Sequence, residues 1–413
     1  MLIRKRALQY ALASSSSSSS SKPSTTQRRL LMIASYCDRD SRVVFSSFRR
    51  RSEDRGDISV HRHVGTSLKA RDHLVLQHTR RFCTTFNDED FSTLHSLRVA
   101  AQRKYENRPF LGTKNLETKE FEYVTYGDFG KKVDYLAAVL SKDRGVKPGD
   151  KIAVISKNRE EWAVAAYACF AIGAHYVPMY EQQRDEDWEY IIRDSEAKHL
   201  FVSTVSIHDR VRDLALIPSE NVVCFDNGDF DRVLQQGVNI SKELDHPNPN
   251  PDDVCVLIYT SGTTGKPKGV MLSHRNIASN VRASREIFGH RLSREDTGLS
   301  ILPWAHVFGQ TLDLHAMMSA GCRLGLVHSK ETLAEDLKLI KPTLMSGVPL
   351  IFKTFYDRIQ NVIETSPFPK NALMKWALRA GKRRRKVFDE GRDGFSPLVA
   401  VEWYVVSVTR TTT

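Results

Sequence analysis

Residues 259–276, YTSGTTGKPKGVMLSHRN, constrain this chain more than any other stretch, because an unbroken run of small, hydroxyl-bearing residues with two lysines suits the handling of a polyphosphate. The run follows an apolar, strand-like segment, 254–259. Gly262 and Gly265 admit backbone conformations that other residues avoid and turn N–H groups toward an anion, while Thr260, Ser261, Thr263 and Thr264 add hydroxyl donors. Lys268 brings positive charge, Pro267 stiffens the chain between it and Lys266, and Gly269 leaves room for close approach. The spacing is not that of a Walker loop, which needs four residues between its glycines; only Thr263 and Thr264 separate Gly262 from Gly265. A polar surface turn is the plainer reading of a short Gly/Ser/Thr cluster, but this ordered run is too long for it.

The formal net charge of +12 over 413 residues is unevenly spread. Residues 1–85 hold 17 of the 61 Lys+Arg and 6 of the 49 Asp+Glu, a net of +11, which leaves 44 against 43 for the remainder. The body has no excess charge to neutralise phosphates along a duplex, so no nucleic-acid partner is expected. The leader is rich in Arg and Ser, with a Ser run over 14–21 and no acid before Asp38, as in an organellar transit peptide. A mitochondrial address is expected, with the plastid or an endoplasmic-reticulum or cytosolic membrane surface as alternatives. A low-complexity tail is the rival explanation of the same composition. Six cysteines lie far apart with no CxxC pair, which indicates neither a disulfide framework nor a zinc site. Residues 162–180 carry no Asp, Glu, Lys or Arg, but Gly173, His175 and Pro178 suit a buried helix turning into a strand better than a membrane span. No transmembrane span is expected, and peripheral membrane association stays open.

From residue 86 onward, helix and strand periods alternate. Helices are expected over 94–105, 126–141, from about 159, over 188–195, from Ser273 to 288, and over 307–319 and 331–340. Strands are expected over 121–125, 151–156, 176–177, 199–202, 222–225, 299–302 and 323–327. Residues 227–253 turn polar and, with Pro247, Pro249 and Pro251, read as a linker. This alternation argues for an α/β architecture of helix-flanked sheets.

The run from Thr260 to Lys268 resembles the phosphate-binding signature of the adenylate-forming (AMP-binding) superfamily. Three further places resemble its long-chain fatty acyl-CoA synthetase branch. Pro303-Trp304-Ala305-His306-Val307-Phe308-Gly309 is similar to a Pro-x-x-His-x-x-Gly segment beside the acyl-adenylate. Asn158-Arg159-Glu160-Glu161-Trp162 is similar to Asn-x-x-Glu-Trp, with Val177-Pro178-Met179-Tyr180 after it, and Pro342-Thr343 with Val348-Pro349 is similar to a Pro-Thr then Val-Pro-Arg region in which Leu350 replaces the Arg. The resemblance spans roughly residues 94–379.

That resemblance implies ATP-dependent joining of a fatty acid to coenzyme A through an acyl-adenylate. A carboxylate is already ionised at neutral pH, so no Ser-His-Asp or Cys-His pair is needed, and no GxSxG occurs. Thr260, Ser261, Gly262, Thr263, Thr264, Gly265, Lys266, Pro267 and Lys268 are expected to bind the ATP phosphates, with Lys268 and Thr264 acting in catalysis and the Thr260 hydroxyl helping to hold Mg2+. His306, Trp304 and Phe308 are expected to line the substrate site. The Tyr-Gly-x-Thr-Glu and Thr-Gly-Asp segments and the small C-terminal domain of the family do not occur in this sequence, and residues 396–413 have no family counterpart. The expectation is therefore a leader over 1–85, a partial N-terminal domain over 86–395 and an atypical tail, with activity impaired. Another adenylating ligase for a medium-chain or aromatic acid, and a non-catalytic nucleotide-binding fragment, are the alternatives.

Overall fold

The computed structural model describes residues 91–241, 248–260, 266–288, 292–329 and 331–389. The expected leader and tail, Pro247 of the linker, and Ser261, Gly262, Thr263, Thr264 and Gly265 lie outside the described residues. Two compact units divide at Val348 and Pro349.

The larger unit opens with α1 (Leu94–Tyr105), whose start is closed by a reciprocal capping box between Thr93 and Ser96. Strands β1 (Pro109–Lys114) and β2 (Phe121–Thr125) follow, then α2 (Tyr126–Ala138), capped by the Thr125 hydroxyl and running on into a π-helical turn over Val139–Asp143. Next come β3 (Lys151–Ile155), α3 (Glu160–Ile172), β4 (His175–Met179), α4 (Asp185–Ser195), β5 (His199–Val202), α5 (Val205–Asp213), β6 (Val222–Cys224) and α6 (Asp229–Ile240). A hairpin of β7 (Val254–Thr260) and β8 (Lys268–Ser273) leads into α7 (His274–Phe288). Then follow β9 (Thr297–Ser300) and a helix α8 made of Val307–Gly309, a π-helical stretch Gln310–Ala316, and Met317–Ala320. Strand β10 (Arg323–Leu326), α9 (Leu333–Ile340) and β11 (Leu344–Met345) complete the unit. The described part of the other unit is a helix pair, α10 (Pro349–Thr365) and α11 (Lys370–Asp389).

Two sheets organise the larger unit. One has the order β6-β5-β3-β4-β7-β8, parallel except for the β7–β8 hairpin; the other has the order β11-β9-β10-β1-β2, parallel except for β1–β2. The parallel strands β3, β4, β5 and β6 of the six-stranded sheet are buried on both faces, whereas the antiparallel edge strand β8 is exposed. Ile152, Val154, Phe201, Val256 and Ile258 enter one core, while their neighbours Ala153, Ile155, Leu200, Val202 and Leu257 enter a second on the opposite face. Helix α3 is apolar all round and is buried from Trp162 to Ile172, which explains the uncharged stretch over 162–180 without a membrane. Gly173 ends it at φ +72°, a left-handed conformation that favours glycine, and β4 begins two residues later. Among the described residues no helix is long and apolar enough to cross a membrane.

The structure corrects three sequence expectations. The supposed linker contains α6, which buries Phe230, Val233, Leu234 and Gly237 on one stripe. Strand β9 lies two residues earlier than expected. The helix expected over 307–319 is π-helical at its centre.

Candidate functional site

The described ends of the phosphate run are Thr260, the last residue of β7, and the segment from Lys266 into β8. Thr260 stands directly opposite Lys268 in the antiparallel register, so one hydroxyl and one ammonium that are eight positions apart in sequence become cross-strand neighbours, both exposed. One position further in, Tyr259 faces Gly269, where a Cβ would lie 3.1 Å from the tyrosine ring. Glycine at 269 therefore makes room for a ring, rather than for backbone. The Tyr259 hydroxyl donates to Asp194 Oδ2 of α4 at 2.7 Å, and burial together with that carboxylate raises the phenol's pKa. The Lys266 ammonium lies 5.5 Å from the Tyr190 ring centroid, also on α4. Helix α4 thus holds both feet of the hairpin.

His306 sits at the end of the other sheet. Past β9 the chain turns at Pro303, whose carbonyl accepts from His306 N at 3.1 Å, and His306 begins α8. Its Nδ1 accepts from Phe308 N at 3.1 Å. The neutral ring must then carry its proton on Nε2, which makes the exposed edge a hydrogen-bond donor. Gly309 explains the spacing of this motif: a Cβ there would meet Pro303 O at 2.4 Å. Phe308 is half-buried, whereas Trp304 is wholly buried with its ring 5.3 Å from that of Trp162. Trp304 is a core residue, and it bears on the site through its backbone rather than its ring.

Two residues whose roles were not legible in the sequence hold this turn. Asn158, between β3 and α3, donates from Nδ2 to Ser300 Oγ at 3.0 Å and to Leu302 O at 2.8 Å, and its Oδ1 accepts from Trp304 N at 2.7 Å. Asp313, on the π-helical stretch, accepts through Oδ2 from Leu302 N at 3.3 Å and from Ser300 Oγ at 3.4 Å. Burial pushes the Asp313 carboxyl up to about 7, against the opposing pull of the Ser346 and Ser300 hydroxyls and the Leu302 and Ile301 amides. Nearby, the Tyr167 hydroxyl and His315 Nδ1 are 2.7 Å apart, and burial lowers His315 to about 3. No periodicity argument singles out Asp313, because its partners, the Leu302 amide and the Ser300 hydroxyl, lie in another segment.

The four described cysteines, Cys169, Cys224, Cys255 and Cys322, are buried and free. Burial pushes the Cys322 thiol up to about 12, which keeps it a thiol and a poor nucleophile. The arrangement offers charge and donors for an anion, and none of the described cysteines is exposed as a nucleophile.

The family model described as AMP-binding enzyme matches residues 97–386. The chain belongs to this family. Among curated relatives, it is 28% identical to fatty acyl-CoA synthetase B of Dictyostelium discoideum over 303 residues, covering 68% of this chain and 44% of that protein. It is 29% identical to long-chain-fatty-acid–CoA ligase 5 of Rattus norvegicus over 301 residues, covering 67% of this chain and 43% of that one. The chain thus spans less than half the length of the curated relatives it matches. Among solved structures, the complex of VinN with L-aspartate superposes with a TM-score of 0.57 at 22% identity, over 67% of each chain. The fold is that of the large N-terminal domain of adenylate-forming enzymes, helix-flanked mixed sheets of the α/β class, as the sequence alternation implied.

Proposed function

We propose that this chain activates a long-chain fatty acid with ATP, forming an acyl-adenylate with release of pyrophosphate, and passes the acyl group to the thiol of coenzyme A with release of AMP. The observation that carries this reading is the pairing of Thr260 with Lys268 at the mouth of the hairpin, within a family whose relatives bear acyl-CoA synthetase names. Negative charge builds on the departing pyrophosphate, and a preorganised ammonium flanked by hydroxyl donors stabilises it. Lys268 and Thr264 take that role, with Thr260, Ser261, Gly262, Thr263, Gly265, Lys266 and Pro267 forming the rest of the phosphate contact. The His306 Nε2 proton is suited to an oxygen of the adenylate or of the incoming carboxylate.

Mg2+ accompanies ATP in this reading. The exposed Thr260 hydroxyl is a hard oxygen donor of the kind that ion accepts, and among the described residues no three His, Cys, Asp or Glu side chains gather into a metal site. The nucleotide's own phosphates would be its main ligands, and the ion would neutralise charge on the leaving group.

The experiment is thioester formation by the purified chain from ATP, coenzyme A and a panel of long-chain, medium-chain and aromatic acids. Long-chain thioesters support the proposal. Turnover of another acid alone would make the chain a different acid–CoA ligase, and nucleotide binding with no product would make it a non-catalytic member. We further propose that residues 1–85, with their net charge of +11, direct the protein to mitochondria. A reporter fused to this segment is expected in that organelle; a plastid or diffuse cytosolic signal would overturn the address.

A further inference from the structure

We propose that Asn158 is a positioning residue for His306, stapling the turn that carries the imidazole to the six-stranded sheet; the inference rests on the acyl-adenylate reading of His306. The turn between β9 and α8 has no strand partner, so the backbone groups of Leu302 and Trp304 must find side chains. Asn158 takes Leu302 O and Trp304 N, and Asp313 takes Leu302 N. The Asn158 amide uses both N–H groups and its oxygen, bonding Ser300 Oγ at 3.0 Å, Leu302 O at 2.8 Å and Trp304 N at 2.7 Å.

The spacing Asn158-x-x-x-Trp162 gains a physical meaning from this. Asn158 takes Trp304 by its backbone, and Trp162, four residues later in the first turn of α3, takes the same residue by its ring at 5.3 Å. The staple is itself anchored. Arg159 pairs with Glu161 at 2.7 Å and with Asp226 at 2.8 Å, and Lys157 N donates to Glu181 Oε1 at 2.8 Å. Asn158 follows β3, in the same sheet as the hairpin that presents Thr260 and Lys268. His306 belongs to the segment leaving the other sheet. Asn158 therefore references His306 to the sheet that holds the phosphate loop, and alignment of carboxylate with α-phosphorus depends on that reference, since a misplacement of about 1 Å can cost about 100-fold in rate.

The test has two arms, both on the full chain. In fatty-acid-dependent pyrophosphate exchange, Asn158→Ala is expected to lower kcat by about 10- to 100-fold alone, yet by less than about threefold when added to His306→Ala, while combining in full with Lys268→Ala. Full additivity with His306→Ala would overturn the inference. In hydrogen exchange, the segment 301–308 is expected to lose about 10- to 100-fold of its protection in Asn158→Ala, with β3 and α3 unchanged. Unchanged protection of 301–308 would also overturn it. Ser300→Ala, which removes one of the three bonds together with the Ser300–Asp313 contact, gives a loss of protection of the same kind should Asn158→Ala not fold. If the unaltered chain shows no exchange of pyrophosphate, the acyl-adenylate reading falls, and the hydrogen-exchange arm alone decides whether the staple exists.

Discussion

At the scale of single residues, Gly309 and Lys268 illustrate two kinds of constraint. Gly309 has ordinary helical dihedrals; what it needs is space, because a Cβ would stand 2.4 Å from the Pro303 carbonyl, backbone that cannot swing aside. Gly309→Ala is expected to destabilise the protein by about 1–3 kcal/mol through this overpacking, read as a lowered urea midpoint with unchanged slope. Lys268 is exposed and touches no core, so Lys268→Ala should leave the midpoint where it is. Its effect belongs to chemistry: Lys268→Ala and Thr264→Ala are expected to slow acyl-adenylate formation by about 10²- to 10³-fold. Wild-type exchange rates in both variants would remove the phosphate role from the hairpin. Lys268 and His306 were legible in the sequence because their neighbours form contiguous motifs. The grip of Asn158 was not, since it reaches residues more than 140 positions away.

At the scale of elements, what was legible follows from how strongly a segment's own pattern is expressed. Helix α1 and strands β2 and β5 fall within the expected bounds because their apolar spacing is regular and their flanks carry caps or turns. Helix α6 was hidden by composition. Phe230, Val233, Leu234 and Gly237 keep the helical period, but Asp, Arg, Gln and Asn fill most of the remaining positions and three prolines follow, so the segment reads as a linker. Gly237 also reads as a breaker, whereas here it is a packing residue: a Cβ would meet Tyr135 O of α2 at 2.3 Å. Gly237→Ala should therefore lower stability by about 1–3 kcal/mol, despite alanine's better helix propensity, because α6 must move away from α2. A gain in thermal midpoint in a melting experiment would show that the two helices separate without cost. The π-helical stretch of α8 was invisible for another reason: it shifts the register of positions within a helix that is buried nearly all round, polar residues included.

At the scale of the whole molecule, burial of a few titratable groups in the larger unit sets how its stability varies with pH. Burial raises Asp313 to about 7, above its unfolded value of about 3.9, so between these pH values the folded state holds a proton that the unfolded state has released, and stability falls as pH rises. His274, lowered to about 4, and His315, lowered to about 3, act in the opposite sense. Their unfolded value is about 6.5, so below it the unfolded chain binds protons that the folded chain refuses, and stability falls as pH drops. Between pH 5 and 6 the two imidazoles therefore add stability with rising pH while Asp313 takes part of it away. Asn at position 313 keeps the shape of the protonated acid and cannot ionise. The gain in unfolding free energy from pH 5 to pH 6 is accordingly expected to be larger in Asp313→Asn than in the unaltered chain, by about 1.4 kcal/mol, the value of one proton over one pH unit. Every other group contributes equally to both proteins, so the difference isolates this carboxyl. Urea unfolding at the two pH values measures it, and equal gains in the two proteins would mean that Asp313 ionises in the fold as it does in water, with the turn before His306 held by a carboxylate rather than by a neutral acid.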